Sequence, residues 1–327
     1  VLSDAERTAR RDSLRLVVGE KTGRRIVRDS PDPSKILAAA VTDAGKKGKN
    51  EDAFVVGKGI GAVIDAMGGG EHGQDAARVV AGKIYDDFNL PEEGFLIRAA
   101  RRAALAMKQE APKYSFDPDR DGAVVSMARD HGSHIEGLIV GDAGLYVIDL
   151  TDRKIAERAK GQSTTDDFLA TLDAGDIDEA LKYLINVPGA KLDDLVLDGG
   201  EAVRLVTHLT GLRARNESIP LPFVDRVRAG ISRKVKQSFV RSSIGPNGID
   251  IPPIPVNFPK VAGHRYLVLL CSDGVTKCLT DHELLQSCLK ASDPNAAVIE
   301  INRVVQERQG NPEYPPPDHA TVLVFLA

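Results

Sequence analysis

Gly61-Ala-Val-Ile-Asp65-Ala-Met-Gly-Gly-Gly70-Glu-His-Gly-Gln-Asp75 joins a strand, a sharp turn and a helix start. The apolar run Ala62 to Ile64 has strand character and delivers one carboxylate, Asp65, to its end. Gly68 to Gly70 then let the backbone turn before a helical pattern begins near Asp75. An acid at a strand tip beside permissive backbone suits a hard cation such as magnesium or manganese, which takes oxygen ligands from carboxylates, carbonyls and water. Taken alone, the same residues also describe a plain tight turn, because aspartate and glycine both tolerate turn dihedrals.

Three more acidic loci share this setting. Asn50-Glu51-Asp52 opens the run Ala53 to Val56, Leu267 to Ser272 closes on Asp273-Gly274, and Asp318-His319 opens the run to Leu326. The acids converge only if the strands that carry them do. Read in order, Asn-Glu-Asp, Asp-Ala-Met-Gly-Gly, Ser-Asp-Gly and Asp-His-Ala-Thr resemble the signatures of the metal-dependent serine/threonine protein phosphatases, the type 2C family, in its bacterial-like branch. The resemblance runs from about residue 36 to 327. It implies an α+β fold, a central antiparallel β-sandwich flanked by helical layers, and hydrolysis of phosphoserine and phosphothreonine in a phosphorylated protein substrate.

By that resemblance Asp65 bridges two Mn2+ or Mg2+ ions, Asp273 and Asp318 complete one of them, the carbonyl of Ala66 helps hold the other, and Glu51 and Asp52 hold coordinated water. Two cations ~4 Å apart suit the reaction, since they activate water and neutralise charge building on the phosphoryl group. Several positions depart from the family pattern. Ala66 replaces a glycine, and Lys47 replaces an arginine that grips the substrate phosphate, keeping the charge without the two-pronged geometry. Asp65, Asp273 and Lys47 are the expected catalytic residues. Asp142, in Gly141-Asp-Ala-Gly144, offers a candidate third metal position, but Lys277 stands where its partner is expected, so two ions rather than three are anticipated. His319 replaces an asparagine, and Met67 stands where mammalian members have a histidine. The alternative reading is a pseudophosphatase, a binding or regulatory module in which Ala66, Lys47 and Lys277 have removed turnover.

Composition narrows the remaining classes. With 43 basic against 47 acidic residues the formal charge is -4, and no basic block suggests a nucleic-acid partner. The longest apolar runs are strand-sized, short of the ~20 residues of a membrane span, so no membrane partner and a cytoplasmic location are expected. Cys271, Cys278 and Cys288 have neither the even count of a disulfide framework nor the close pairs of a zinc site, and read as free thiols.

Along the chain, residues 1–35 read as a polar extension in which Ser3 to Val18 forms one charged helix. Strands are expected at Ile36 to Val41, Ala53 to Val56 and Ala62 to Ile64. Helices follow, one capped by Asp75 and one over Phe95 to Lys108. From Gly122 the period becomes that of strands: Ala123 to Met127, His134 to Val140, Leu145 to Ile148 and Lys154 to Ala159. Clustered hairpins of this kind exclude a doubly wound parallel sheet. Residues 182–236 read as a helical insertion, an enlarged flap with patterns at Glu201 to Leu212 and Phe223 to Val235. A strand at Leu267 to Leu270, helices at Asp281 to Lys290 and Asn295 to Gln309, and a strand at Thr321 to Phe325 close the domain that begins at residue 36.

Overall fold

The computed structural model describes residues 14–18, 24–30, 32, 36–44, 50–67, 72–88, 94–118, 120–159, 161, 172, 175, 177–178, 180–181, 199–215, 217–219, 243–249, 252–309, 311 and 318–327, with the side chains of 199–204 excepted. Two antiparallel sheets face each other. In the first, β1 (Arg15–Val18), β4 (Ala53–Gly57), β5 (Ile60–Met67) and β6 (Gly122–Asp130) are neighbours in that order. Strand β6 also pairs with β7 (His134–Val140), which carries β12 (Ile254–Pro259), and with β10 (Ile244–Gly245), which carries β11 (Gly248–Ile249). The second sheet runs β2 (Arg24–Arg28), β3 (Ala38–Asp43), β14 (Ala320–Leu326), β13 (Tyr266–Cys271), β8 (Gly144–Asp149) and β9 (Lys154–Ala159).

Helices close both outer faces. Helices α1 (Gly73–Asp87) and α2 (Phe95–Tyr114) pack on the first sheet, where Val80, Ile84, Leu96 and Met107 meet Val55, Ile64 and Val125. Beyond α3 (Gly199–Ala214) and the single turn α4 (Asp273–Thr276), helices α5 (Asp281–Lys290) and α6 (Pro294–Gln309) cover the second sheet, with Leu284, Val298 and Ile301 against Val41, Leu269 and Val322. A third core lies between the sheets, built from Phe54, Val56, Val63, Leu270, Leu323 and Phe325. Central strands are therefore buried on both faces: in β4, Val55 meets the helices while Phe54 and Val56 meet the other sheet. That double burial is why such strands read as unbroken apolar runs rather than as alternating ones. The sheets press closely at Gly61, where a Cβ would stand 2.6 Å from a methyl of Leu323.

The α+β sandwich matches expectation, but the amino-terminal reading is corrected. No helix spans Leu14 to Val18. Arg15–Val18 pairs with β4, Arg15 opposite Val56, and Arg24–Arg28 pairs with β3, Arg24 opposite Asp43. The sheets thus begin well before residue 36. Leu14 and Val17 are buried while Arg24, Arg25 and Arg28 are exposed, the composition of charged edge strands. Strand β12 was also unexpected, because Pro255 and Pro259 argue against a central strand; among the described residues it pairs with β7 alone, an edge placement that tolerates proline.

Asp75 is not the cap of α1; His72 holds that position, and Asp75 lies in the first turn, where Arg78 donates to it at 2.5 Å. Of the insertion, Glu201 to Leu212 falls inside α3, whereas Phe223 to Val235 lies outside the described residues. All three cysteines are free and buried. Among the described residues no helix is long and apolar enough to cross a membrane.

Candidate metal centre

Four strand ends, two from each sheet, carry the acids. Asp52 precedes β4 and Asp65 lies near the end of β5, and the pairing of Ala53 with Ile64 sets the two side by side. Asp273 follows β13 and Asp318 precedes β14, strands paired through Cys271 and Val322. A buried hydrogen-bond chain fixes these ends. Asn50 donates to the Thr42 hydroxyl at 2.8 Å and its side-chain oxygen accepts from the Asp52 amide at 3.0 Å, forming a short Asx turn that aims Asp52. Thr321 donates to the same Thr42 hydroxyl at 2.7 Å, and its amide donates to the Ser272 hydroxyl at 2.9 Å. The Ser272 amide completes the tie by donating to the Thr321 carbonyl at 3.0 Å.

Among the described residues, one side of the cluster lacks positive charge. Asp52 is fully buried, and among the described residues neither of its carboxylate oxygens has a hydrogen-bond partner. Burial raises its carboxyl to about 6, with His319 and the nearby Thr321 hydroxyl opposing the rise and Asp318 and Asp273 adding to it. Asp65 is pushed well above the ordinary carboxylate range by desolvation first, then by Asp52, Asp273, Asp318 and Asp142. A buried carboxylate with unsatisfied oxygens is expensive unless a cation or proton joins it. The donor set is all oxygen, which fits Mg2+ or Mn2+.

The other side carries its own cation. Lys277, one helical turn beyond Asp273, forms an ion pair with the Asp273 carboxylate and lies 3.1 Å from Asp318 Oδ2. Burial alone would lower the pKa of this lysine, but Asp273, Asp318 and Asp142 together raise it above the usual lysine value. Asp318 is further fixed by the His319 amide, which donates to its Oδ1 at 2.9 Å, and by Gln309, which donates to its carbonyl at 2.9 Å.

No protein-family model and no curated protein matches the chain. Solved structures do. The Mycobacterium tuberculosis serine/threonine phosphatase PstP/Ppp matches with a TM-score of 0.56 and 18% identity, covering 88% of this chain and 96% of that one. The PstP catalytic domain in complex with 2 manganese ions gives 0.56 and 17%, over 93% and 100%. Stp1 of Staphylococcus aureus gives 0.57 and 14%, over 95% and 96%. The chain has the fold of the PPM serine/threonine phosphatases.

Within this PPM fold the expected site residues divide into groups. Asp52, Asp65, Asp273 and Asp318 come together, and Asp142 is near enough to act on Asp65 and Lys277. Glu51 is buried against the first turn of α1, where a Cβ on Gly73 would stand 2.8 Å from its carboxyl carbon. Ala66 sits inside β5 opposite Ala123 and is not among the residues with positive φ, so its methyl group is at ease where the family has glycine. Lys47 lies outside the described residues. The Lys277 ammonium bridges Asp273 and Asp318, and Asp142 acts on it as a further charge. The i,i+4 spacing from Asp273 was the available signal.

The histidines differ in setting. His264 Nδ1 is 2.7 Å from Asp149 Oδ2, whereas His319 is buried with Nε2 lacking a partner among the described residues. A separate group, Asp149, Asp152 and His264, brings ligand atoms within 4.8 Å of one another. Its members are already engaged: Asp149 accepts from the amides of Thr151 and Asp152, and Lys154 holds Asp152 at 2.8 Å.

Proposed function

We propose that this chain is a metal-dependent phosphatase that removes phosphate from phosphoserine and phosphothreonine in proteins. The observation that carries the reading is the meeting of Asp52, Asp65, Asp273 and Asp318 from both sheets, with Asp52 buried and neither of its oxygens hydrogen-bonded among the described residues. In the reaction a water oxygen adds to phosphorus, the bond from phosphorus to the serine or threonine oxygen breaks, and that oxygen takes a proton. Two divalent ions, when bound, supply activation of the attacking water and neutralisation of the phosphoryl charge. Asp65 would serve both ions, Asp273 and Asp318 would hold one, the Ala66 carbonyl would help hold the other, and Glu51 and Asp52 would orient water. Lys47 supplies positive charge to the substrate phosphate. The PstP structure that this chain resembles was solved with 2 manganese ions, which supports Mn2+ as the cofactor.

A second reading, a pseudophosphatase that binds partners without turnover, draws on one observation: Lys277 already neutralises Asp273 and Asp318. Hydrolysis of p-nitrophenyl phosphate by the metal-stripped chain, with and without Mn2+, separates the two. The phosphatase reading expects Mn2+-dependent turnover that falls about 100-fold or more in Asp65→Asn and Asp273→Asn. A folded wild-type chain with no turnover at any Mn2+ concentration supports the second reading.

A further inference from the structure

Among the described residues the acid cluster is neutralised unevenly. On the Asp52 side, a fully buried carboxylate has two oxygens with no hydrogen-bond partner among the described residues. On the Asp273 side, Lys277 contacts the Asp273 carboxylate and stands 3.1 Å from Asp318 Oδ2. The lysine is held there by its own turn. Its amide donates to the Asp273 carbonyl at 2.8 Å, Ser272 precedes the turn fully buried, and Cys278 and Leu279 anchor the following residues in the core beneath α5 and α6. Only 14% of the Lys277 side chain meets solvent, so the ammonium is not a passing surface contact.

Mg2+ binds carboxylate oxygen at about 2.0 to 2.1 Å, so an ion held between Asp273 and Asp318 would need the space that the Lys277 ammonium fills. At about 4 Å a second positive charge repels it strongly even at an effective dielectric of about 20. Ammonium and metal are therefore alternatives between Asp273 and Asp318. We propose that Lys277 is a tethered cation that occupies one of the two metal positions, so that one divalent ion binds tightly beside Asp52 and Asp65 and a second enters only by displacing the lysine. The proposal rests on the metal-site reading above but not on turnover. It places a cation-controlled step within the site: the second position fills in proportion to divalent ion concentration, with Lys277 as the intramolecular competitor.

Mn2+ titration of the metal-stripped full chain tests this, by calorimetry and by the electron paramagnetic resonance signal of free Mn2+. Wild type should bind one ion tightly and a second at least about tenfold more weakly, and Lys277→Met should strengthen the second by about tenfold or more. In parallel, Lys277→Met should lower the melting temperature of the metal-free protein more than that of the Mn2+-saturated protein, because the ion replaces the missing charge. Two ions of closely similar affinity in wild type overturn the proposal, even if the variant does not fold. So does a variant that folds with an unchanged isotherm, or one destabilised equally with and without Mn2+. Loss of the phosphatase reading would appear separately, as absent turnover in a protein whose isotherm remains readable.

Discussion

Gly274→Ala should damage the site through the backbone. Gly274 follows Asp273 at the start of α4, and a Cβ added there would stand 1.8 Å from the carbonyl oxygen of His319 and 2.9 Å from its carbonyl carbon. Real Cβ contacts essentially never fall under 3.0 Å, so the two segments must separate by more than an ångström. Neither partner is a flexible side chain. His319 is fixed by the start of β14, and Gly274 by the Ser272 to Thr321 hydrogen bonds. Overpacking of a rigid core typically costs about 1 to 3 kcal/mol, and a backbone clash belongs at the upper end, about 3 kcal/mol. For a domain of this size that is roughly a 4 to 5 °C fall in melting temperature. The same displacement moves Asp273 away from Asp318, so affinity for the second Mn2+, the one those two acids would hold, should fall about tenfold or more alongside stability. Urea denaturation and Mn2+ calorimetry on one preparation measure both. A variant within about 0.5 kcal/mol of wild type, with unchanged Mn2+ affinity, would refute the claim that this contact sets the spacing of the two acids.

Other perturbations separate the parts of the account. The Asp52 carboxyl is raised to about 6 by burial, so the native chain keeps a proton that the unfolded chain releases near 3.8; metal-free stability should fall as pH rises from about 4 to 6, and Mn2+ should suppress that fall. Asp52→Asn should flatten the profile and stabilise the metal-free protein by about 1 to 3 kcal/mol at pH 7.5 while weakening Mn2+ binding, as urea midpoints and titration would record. Glu283, which caps α5 with Thr280, is lowered to about 2 by Arg308 first and then Thr280. This pair stabilises above about pH 4.5 and is lost as pH falls toward 2, so Arg308→Met should cost about 1 kcal/mol at neutral pH, discounted for its partial exposure, and less near pH 3. Lys47→Ala should raise KM for a phosphopeptide without altering Mn2+ affinity, and Lys47→Arg should retain activity; equal kinetics in both would remove Lys47 from the phosphate site.

What the sequence disclosed depended on how local each signal was. Asp65 and Asp273 were legible because each terminates an apolar run, and a strand end next to glycine is a short-range pattern. Helical periods before a series of hairpins excluded a doubly wound parallel sheet, whereas the sandwich with its outer helical layers came from the family resemblance. Edge strands gave no such signal: Arg24–Arg28 is nearly all charge or β-branched residue, and it becomes a strand only because β3 offers it a partner. Strand β12 was hidden by its prolines for the same reason. Lys277 shows the limit most clearly. Its i,i+4 relation to Asp273 was readable, but its contact with Asp318 spans 41 positions and exists because β13 and β14 are paired in one particular register. The Thr42, Asn50, Ser272 and Thr321 chain likewise joins segments that only the folded sheets bring together.

The most direct test is the kcat/KM of the metal-stripped chain toward a phosphothreonine peptide, followed as Mn2+ is titrated from zero to millimolar, with Asp65→Asn alongside. The account predicts a rise of about a thousandfold or more over the metal-free baseline in wild type, and almost none in the variant. A wild-type rate that is flat across the titration while the protein remains folded, or a variant that rises as wild type does, would contradict it.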